Sequence, residues 1–393
     1  MTDTSPRALS GITVLEVRSI GPGPLAGMLL ADMGADVIRI DRPGVPTRGA
    51  SDHIAPTHRG KRSVSIDLKT DDGRELLLEM VEHADVLIEG NRPGVMERIG
   101  LGPVDCHRRN PRLVYGRMTG WGQDGPLASA AGHDINYIAL SGALEGMGAD
   151  PSGPPVPAVS YVGDFAGGTM FLLFGILCAV RVAERTGVGQ VVDAAMVDGV
   201  AALSAPYHGL LADGKWKLGR GRNVIDGGAP YYHVYECRDG QFVTIASAEP
   251  QFYALLRSCL GLTEPLWDAQ HDEEQWAVQE QRLADIFRTR TRDEWCSILE
   301  GTDVCFAPVL SLADAPRHPH NVARETFVSV GDVIQPAPAP RLSRTPGAIG
   351  GPPPVAGLHT REVLGELGIG TDRVNNLIST GAVAIAEHPT AGQ

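Results

Sequence analysis

Ile12-Thr-Val-Leu-Glu-Val17 and Asp36-Val-Ile-Arg-Ile-Asp41, joined by an apolar stretch from Pro24 to Met33, read as strand, helix and strand. Both outer segments are short runs of aliphatic and β-branched residues, the pattern of strands buried on two faces. The rhythm continues downstream. Ser63 to Leu68 reads as a third strand and Asp71 to His83 as an amphipathic helix. Ala84-Asp-Val-Leu-Ile-Glu89 and Arg112-Leu-Val-Tyr-Gly-Arg117 add two more strands. Strands alternating with helices predict an α/β fold, a Rossmann-like parallel sheet with helices on both faces. Ligands of such sheets bind beyond the carboxyl ends of the strands, which puts Arg42, Lys69, Asn91, Arg92 and Met118 on one rim.

From His133 to about Asp213 the chain reads as helical and apolar, with one strand at Gln190 to Ala195. Tyr231 to Ala246 then alternates like strands around Arg238-Asp239-Gly240, a hairpin signal. Helices follow at Pro250 to Leu260 and Glu274 to Arg290. These features predict a large discontinuous domain at 1–190 and 330–385, a linker helix at 191–224, and a small α+β domain at 225–325. The proline- and glycine-rich stretch from Gln335 to Pro354 reads as a linker or strap. Thr360 to Leu367 reads as a terminal helix, and the tail after Ile385 as disordered.

Composition narrows the function. The 393 residues carry 34 Lys and Arg against 47 Asp and Glu, a net charge of −13 that argues against nucleic-acid binding. A local basic pocket for an anionic small ligand stays open. Cys106, Cys178, Cys237, Cys259, Cys296 and Cys305 show neither CxxC nor Cys/His spacing, so they read as buried reduced thiols with no metal site. The polar start Met-Thr-Asp-Thr-Ser-Pro lacks a signal-peptide core, and the longest apolar run, Met170 to Val180, falls short of the roughly 20 residues a span needs. The expectation is a cytoplasmic protein with no membrane partner.

Gly21-Pro-Gly-Pro-Leu-Ala-Gly27 after the first strand invites a dinucleotide reading, with Asp41 ending the next strand. The fingerprint needs free amides facing a pyrophosphate, and Pro22 and Pro24 remove two of them. The third glycine is also one place late. The glycines read better as a tight turn and a close approach to a neighbour.

Two phrases carry the chemistry: Ala131-Gly-His-Asp-Ile-Asn-Tyr137 and Val162-Gly-Asp-Phe-Ala-Gly-Gly168. Each sets an ionisable residue after a glycine at the expected start of an apolar helix. A helix-start histidine is favoured in its neutral form, and an aspartate there is a natural N-cap. Each residue alone has that plain structural reading. Together, His133 and Asp164 offer a base and an acid beside helix-start amides, which suits proton abstraction next to a carbonyl.

Taken with further motifs, the chain resembles the family III CoA-transferase (CaiB/BaiF) superfamily, and within it the branch that racemises 2-methylacyl-CoA thioesters. The resemblance runs from Leu9 to Arg344. Its most specific matches are Ile20-Gly-Pro-Gly-Pro24, Gly34 to Pro43, Leu87-Ile-Glu-Gly-Asn-Arg-Pro-Gly94, Arg117-Met-Thr-Gly-Trp-Gly122, Gly132-His-Asp-Ile-Asn-Tyr137, Gly163-Asp-Phe165 and Asp226-Gly-Gly-Ala-Pro-Tyr-Tyr232. The resemblance implies an interlocked homodimer and a two-base reaction without metal or redox cofactor, CoA entering as part of the substrate. His133 and Asp164 would stand on opposite faces of the α-carbon. Glu249, in Ala248-Glu-Pro-Gln-Phe252, would orient or charge His133 from either subunit. It further implies that Arg42 and Arg98 meet the CoA phosphates. Ile66, Asp67, Leu68 and Lys69 with Gly90, Asn91 and Arg92 would hold the nucleotide, and Gly132, Asp134, Ile135, Asn136 and Tyr137 would contact substrate. Family racemases often carry Asn where this chain has Ser160, a departure that bears on the hydrogen bonding of Asp164. Two rivals are a CoA transferase using Asp164 as a nucleophile and a non-catalytic CoA-ester binder. The Gly-His-Asp phrase speaks against the first, and the intact His133/Asp164 pair against the second.

Overall fold

The computed structural model describes residues 6–44 and 54–386. It divides into two compact units, Met1–Ser141 with Ser160–Leu203 and Pro319–Gln393, and Gly142–Val159 with Ser204–His318.

The first unit is built on β1 (Thr13–Val17), β2 (Asp36–Asp41), β3 (Arg62–Ile66), β4 (Val86–Glu89), β5 (Val114–Thr119) and β6 (Val191–Ala195). They lie in the order β3-β2-β1-β4-β5-β6, every neighbouring pair parallel. The chain lays down β1 to β3 in one direction, then returns to the other side of β1 with β4. That reversal leaves a crevice at the carboxyl ends of β1 and β4. Helices α1 (Pro22–Asp32), α2 (Asp71–Glu82), α3 (Val95–Arg98), α4 (Pro103–Arg109), α5 (Asp134–Leu140), α6 (Tyr161–Thr186) and α7 (Met196–Leu203) accompany the strands. The first ten residues of α6, Tyr161–Met170, take a π-helical winding.

Both sheet faces are mainly apolar, which is why the strands read as aliphatic-rich segments, interrupted by the buried polar residues Glu16, Arg39, Ser63 and Arg117. Leu76, Leu77 and Met80 of α2 meet Leu15, Ile38 and Leu87 on one face. Ala26 and Leu30 of α1 and Leu172 and Ile176 of α6 meet Val14, Val37 and Ile88 on the other. Burying a side chain of this size stabilises by about 1.5–3 kcal/mol. By length and composition α6 could cross a membrane, but Leu172, Ile176 and Ala179 make it a core helix of the sheet. The apolar stretch outruns Met170 to Val180 because the helix continues back through the π-wound turn.

The close approach expected of the glycine motif is found at Gly27, where a Cβ would stand 1.7 Å from Glu16 Oε2. Glu16 there accepts from Lys61 Nζ at 2.5 Å, and Lys61 also donates to the Pro24 carbonyl at 2.9 Å. Asp41 is occupied as well, accepting from Arg39 Nε and Ser63 Oγ, both at 2.6 Å.

The second unit holds α8 (Ala205–Ala212), β7 (Tyr232–Glu236), β8 (Phe242–Ala246), α9 (Pro250–Leu260), α10 (Glu273–Phe287), α11 (Arg292–Leu299) and β9 (Phe306–Pro308). Its antiparallel sheet runs β7-β8-β9. Tyr235, Ile245, Leu256, Phe287 and Trp295 form its own core, with Tyr235 stacked on Phe287 at 4.9 Å between centroids.

The chain then returns to the first unit with α12 (Pro319–Ala323), a hairpin of β10 (Phe327–Val330) and β11 (Val333–Pro336), α13 (Thr360–Glu366), α14 (Thr371–Ser379) and β12 (Val383–Ala384). Strand β12 pairs antiparallel with β3 at the sheet edge. Residues 387–393 of the tail lie outside the described residues.

Four expectations need correction. Residues 191–224 are not a linker helix: β6 pairs with β5, α7 stays with the first unit, and α8 belongs to the second. Residues 142–159 also join the second unit. The proline-rich strap begins inside β11, where buried Gln335 accepts from Arg59 Nη1 at 2.9 Å. Finally, of the cysteines expected to be buried only Cys106 and Cys237 are; Cys259 and Cys296 are partly exposed, and Cys178 and Cys305 are exposed.

Candidate active site

A cavity of about 570 Å³ opens at the carboxyl ends of β1, β4, β5 and β6. Ser19, Gly21 and Pro22 line it after β1, and Gly90, Asn91 and Arg92 after β4. Met118 to Trp121 line it from β5, and Met196 from the start of α7. Gly132, His133, Tyr137 and Asp164 complete the wall. The two phrases, some thirty residues apart in sequence, therefore face one space.

His133 is the N-cap of α5, in extended backbone, and its own N–H donates to Asn136 Oδ1 at 3.0 Å. Asn136 thus serves to close the helix start. Glycine before the histidine is a steric requirement. A Cβ on Gly132 would stand 2.7 Å from the Tyr137 ring and 3.0 Å from Trp121, and one on Gly120 would stand 2.0 Å from the same tyrosine. Tyr137 and Trp121 pack edge to face at 4.8 Å, so these glycines make room for an aromatic wall.

Asp164 departs from expectation. It is not the cap of its helix but lies in the first turn of α6, and the cap is Ser160 at φ 52°. A serine in left-handed backbone is uncommon, and its side chain hydrogen-bonds Asp164. The Asp164 backbone N–H donates to Asp134 Oδ1 at 2.8 Å. Asp134 is buried, and a Cβ on Gly163 would stand 2.4 Å from that same oxygen. One hydrogen bond therefore latches the Gly-His-Asp phrase to the Gly-Asp-Phe phrase. Burial raises the Asp164 carboxyl above the usual aspartate range, and the Asp134 charge raises it further against the Ser160 hydrogen bond and the His133 charge. The proton-holding form is favoured relative to a solvated aspartate.

The loop after β4 has its own support. Buried Glu89 accepts from the Asn91 N–H at 2.6 Å and from Arg117 Nε at 3.0 Å, and Arg117 Nη1 reaches Glu97 at 2.7 Å. Burial raises the Glu89 carboxyl despite these partners. Glu89 and Arg117 thus support the site without being expected there. Their signal was a charged side chain closing an otherwise apolar strand.

Other expected residues lie elsewhere. Arg42 and Lys69 are exposed at the ends of β2 and β3, across the reversal point from the cavity wall. Ile66 is core, and Leu68 packs against that core. Asp67 accepts from the Lys69 N–H at 3.0 Å, forming the turn before α2. Arg98 is exposed at the end of α3, and Ile135 is exposed on α5. Glu249 caps α9 in the second unit. Before it, Gln270 Nε2 donates to the Ala248 carbonyl at 2.9 Å.

The profile of CoA-transferase family III matches residues 9–360. The chain is 42% identical over 373 residues to the alpha-methylacyl-CoA racemase of Mus musculus, covering 94% of this chain and 96% of that one. To the racemase of Homo sapiens it is 41% identical over 374 residues, covering 95% and 96%. The crystal structure of a CAIB/BAIF family protein from Brucella suis matches with a TM-score of 0.80 at 26% identity, over 92% of this chain and 100% of that one.

Proposed function

The chain belongs to CoA-transferase family III, and from that membership we propose that it interconverts the (2R) and (2S) forms of 2-methylacyl-CoA thioesters. The observation that carries the reading is His133 and Asp164 lining one cavity. The α-hydrogen of a thioester is acidic because the electron pair can move onto the carbonyl oxygen. In this reading His133 takes the proton as the C–H bond breaks, the pair rests on oxygen as an enolate, and Asp164 gives its proton to the opposite face. The helix-start amides beside His133 are assigned to the enolate oxygen, as the family resemblance implies. The reverse reaction uses the same residues with roles exchanged. Proton transfer leaves no step for a resident metal or redox cofactor; CoA is part of the substrate.

Asn91 and Arg92 on the cavity wall suit the CoA moiety, with Arg42, Lys69 and Arg98 as exposed cations for its phosphates. Glu249 is assigned to charge or orient His133, as the family resemblance implies. A homodimer is supported by the open face of α6, where Tyr161, Met170, Phe174 and Leu177 are exposed, Phe174 by 70%.

The test is a single-enantiomer 2-methylacyl-CoA incubated with the protein in heavy water. Deuterium should enter the α-carbon as optical purity is lost, and His133→Ala and Asp164→Ala should each slow racemisation by about 10²-fold or more. If deuterium stays out while CoA passes to an added carboxylic acid, Asp164 is a transferase nucleophile and the racemase reading fails.

A further inference from the structure

We infer that Asp134 is a positioning residue of this site: its buried carboxylate fixes the Asp164 backbone and sets a negative charge beside the group that gives and takes the second proton. The inference rests on the racemase reading and adds a member to it.

Three observations converge. Asp134 is buried yet ionisable, at the first position of a seven-residue helix whose neighbours Ile135 and Asn136 face solvent. Its Oδ1 accepts from the Asp164 N–H at 2.8 Å, across two elements that the chain reaches thirty residues apart. Gly163, immediately before Asp164, leaves 2.4 Å between a would-be Cβ and that oxygen, so any larger residue displaces the carboxylate. The Gly-Asp of one phrase is thus shaped around the Asp of the other.

The charge matters because few others face Asp164. His133, Asp134 and Tyr137 face it from α5, and Ser160 from its own turn. Arg92, from the loop after β4, acts on Tyr137. Arg117 of β5 and Asp198 of α7 act on Asp193 of β6, while Asp32 of α1 is paired with Arg59. A like charge disfavours ionisation of Asp164, so Asp134 keeps it a proton donor, while the backbone hydrogen bond keeps it aimed. A displacement of about 1 Å at such a group can cost on the order of 10²-fold in rate.

The experiment compares pH profiles of kcat/KM for racemisation, from each enantiomer of a 2-methylacyl-CoA, in wild type, D134N, D134A and G163A. Asparagine keeps an acceptor oxygen and loses the charge. In D134N the alkaline limb should move to lower pH in the direction where Asp164 donates, and the acidic limb to lower pH in the other. D134A and G163A should lose kcat by roughly tenfold to 10²-fold with little change in KM. A D134N profile superimposed on wild type overturns the inference. So does a raised KM with unchanged kcat in D134A, which would make Asp134 a substrate contact. If D134A or G163A does not fold, the D134N profile still decides. Absence of α-exchange in wild type defeats the racemase reading itself, whereas racemisation that needs Asp164 but ignores D134N defeats this inference alone.

Discussion

At position 164 the fold holds a carboxyl group where burial and the Asp134 charge both oppose its ionisation. A group with this environment has a consequence for stability as well as for chemistry. Its folded-state pKa lies above the unfolded value, so the native state binds the proton more tightly than the unfolded chain does. The charged carboxylate is therefore unfavourable to the fold above the folded pKa, and that penalty disappears as pH falls below the unfolded value. Asp164→Asn should raise the melting temperature at neutral pH, and the gain should shrink towards pH 4 while racemisation is lost throughout. Thermal unfolding from about pH 4 to 8 checks this. A gain that is the same at every pH would place the effect in packing instead. At this scale the sequence was informative about identity, since His133 and Asp164 stood out after their glycines. It was silent about the latch, because a hydrogen bond between residues 134 and 164 leaves no local pattern.

Among the elements, α1 shows how a motif can mimic one function and serve another. Its glycines resemble a phosphate-binding turn, but Gly27 instead clears space for the Glu16–Lys61 pair, both partners fully buried. Removing one partner of a buried pair leaves an uncompensated charge, so Lys61→Met should destabilise the protein by about 3–5 kcal/mol. The double change Glu16→Leu/Lys61→Met should recover most of that loss, because no buried charge remains. Urea unfolding of the two variants reads the difference, and equal losses would show that the pair itself supplies the stability. The strands and α2 were legible within a few residues because burial on two faces, or on one stripe, imposes a periodicity the sequence must carry. The start of α6 was not. Its π-wound turn and left-handed cap at Ser160 follow from packing against α1, α5 and α7, and neither has a propensity signature.

For the whole molecule, the role proposed for Glu249 can be tested apart from that of His133, because the two residues belong to different units. The dimer reading makes a distinct prediction. If Glu249 acts on His133 of the other subunit, co-expressed His133→Ala and Glu249→Ala chains should regain activity that neither has alone. With random pairing, half the dimers are mixed and each carries one intact site, so about a quarter of wild-type activity should return. No recovery in mixtures shown to contain mixed dimers would put Glu249 in the same subunit as its histidine.

By itself the sequence determined an alternating α/β chain, its strands and most helices, a smaller α+β region, and a histidine and an aspartate at helix starts. Tertiary structure alone decided which of those residues share a space. The expected rim included Arg42 and Lys69 with Asn91, Arg92 and Met118, but the cavity takes only the last three. The reason is strand order. Periodicity is a local property, set by which side of a strand or helix meets the core. The reversal between β1 and β4 is a non-local pairing choice, and it determines which strand ends converge on a ligand.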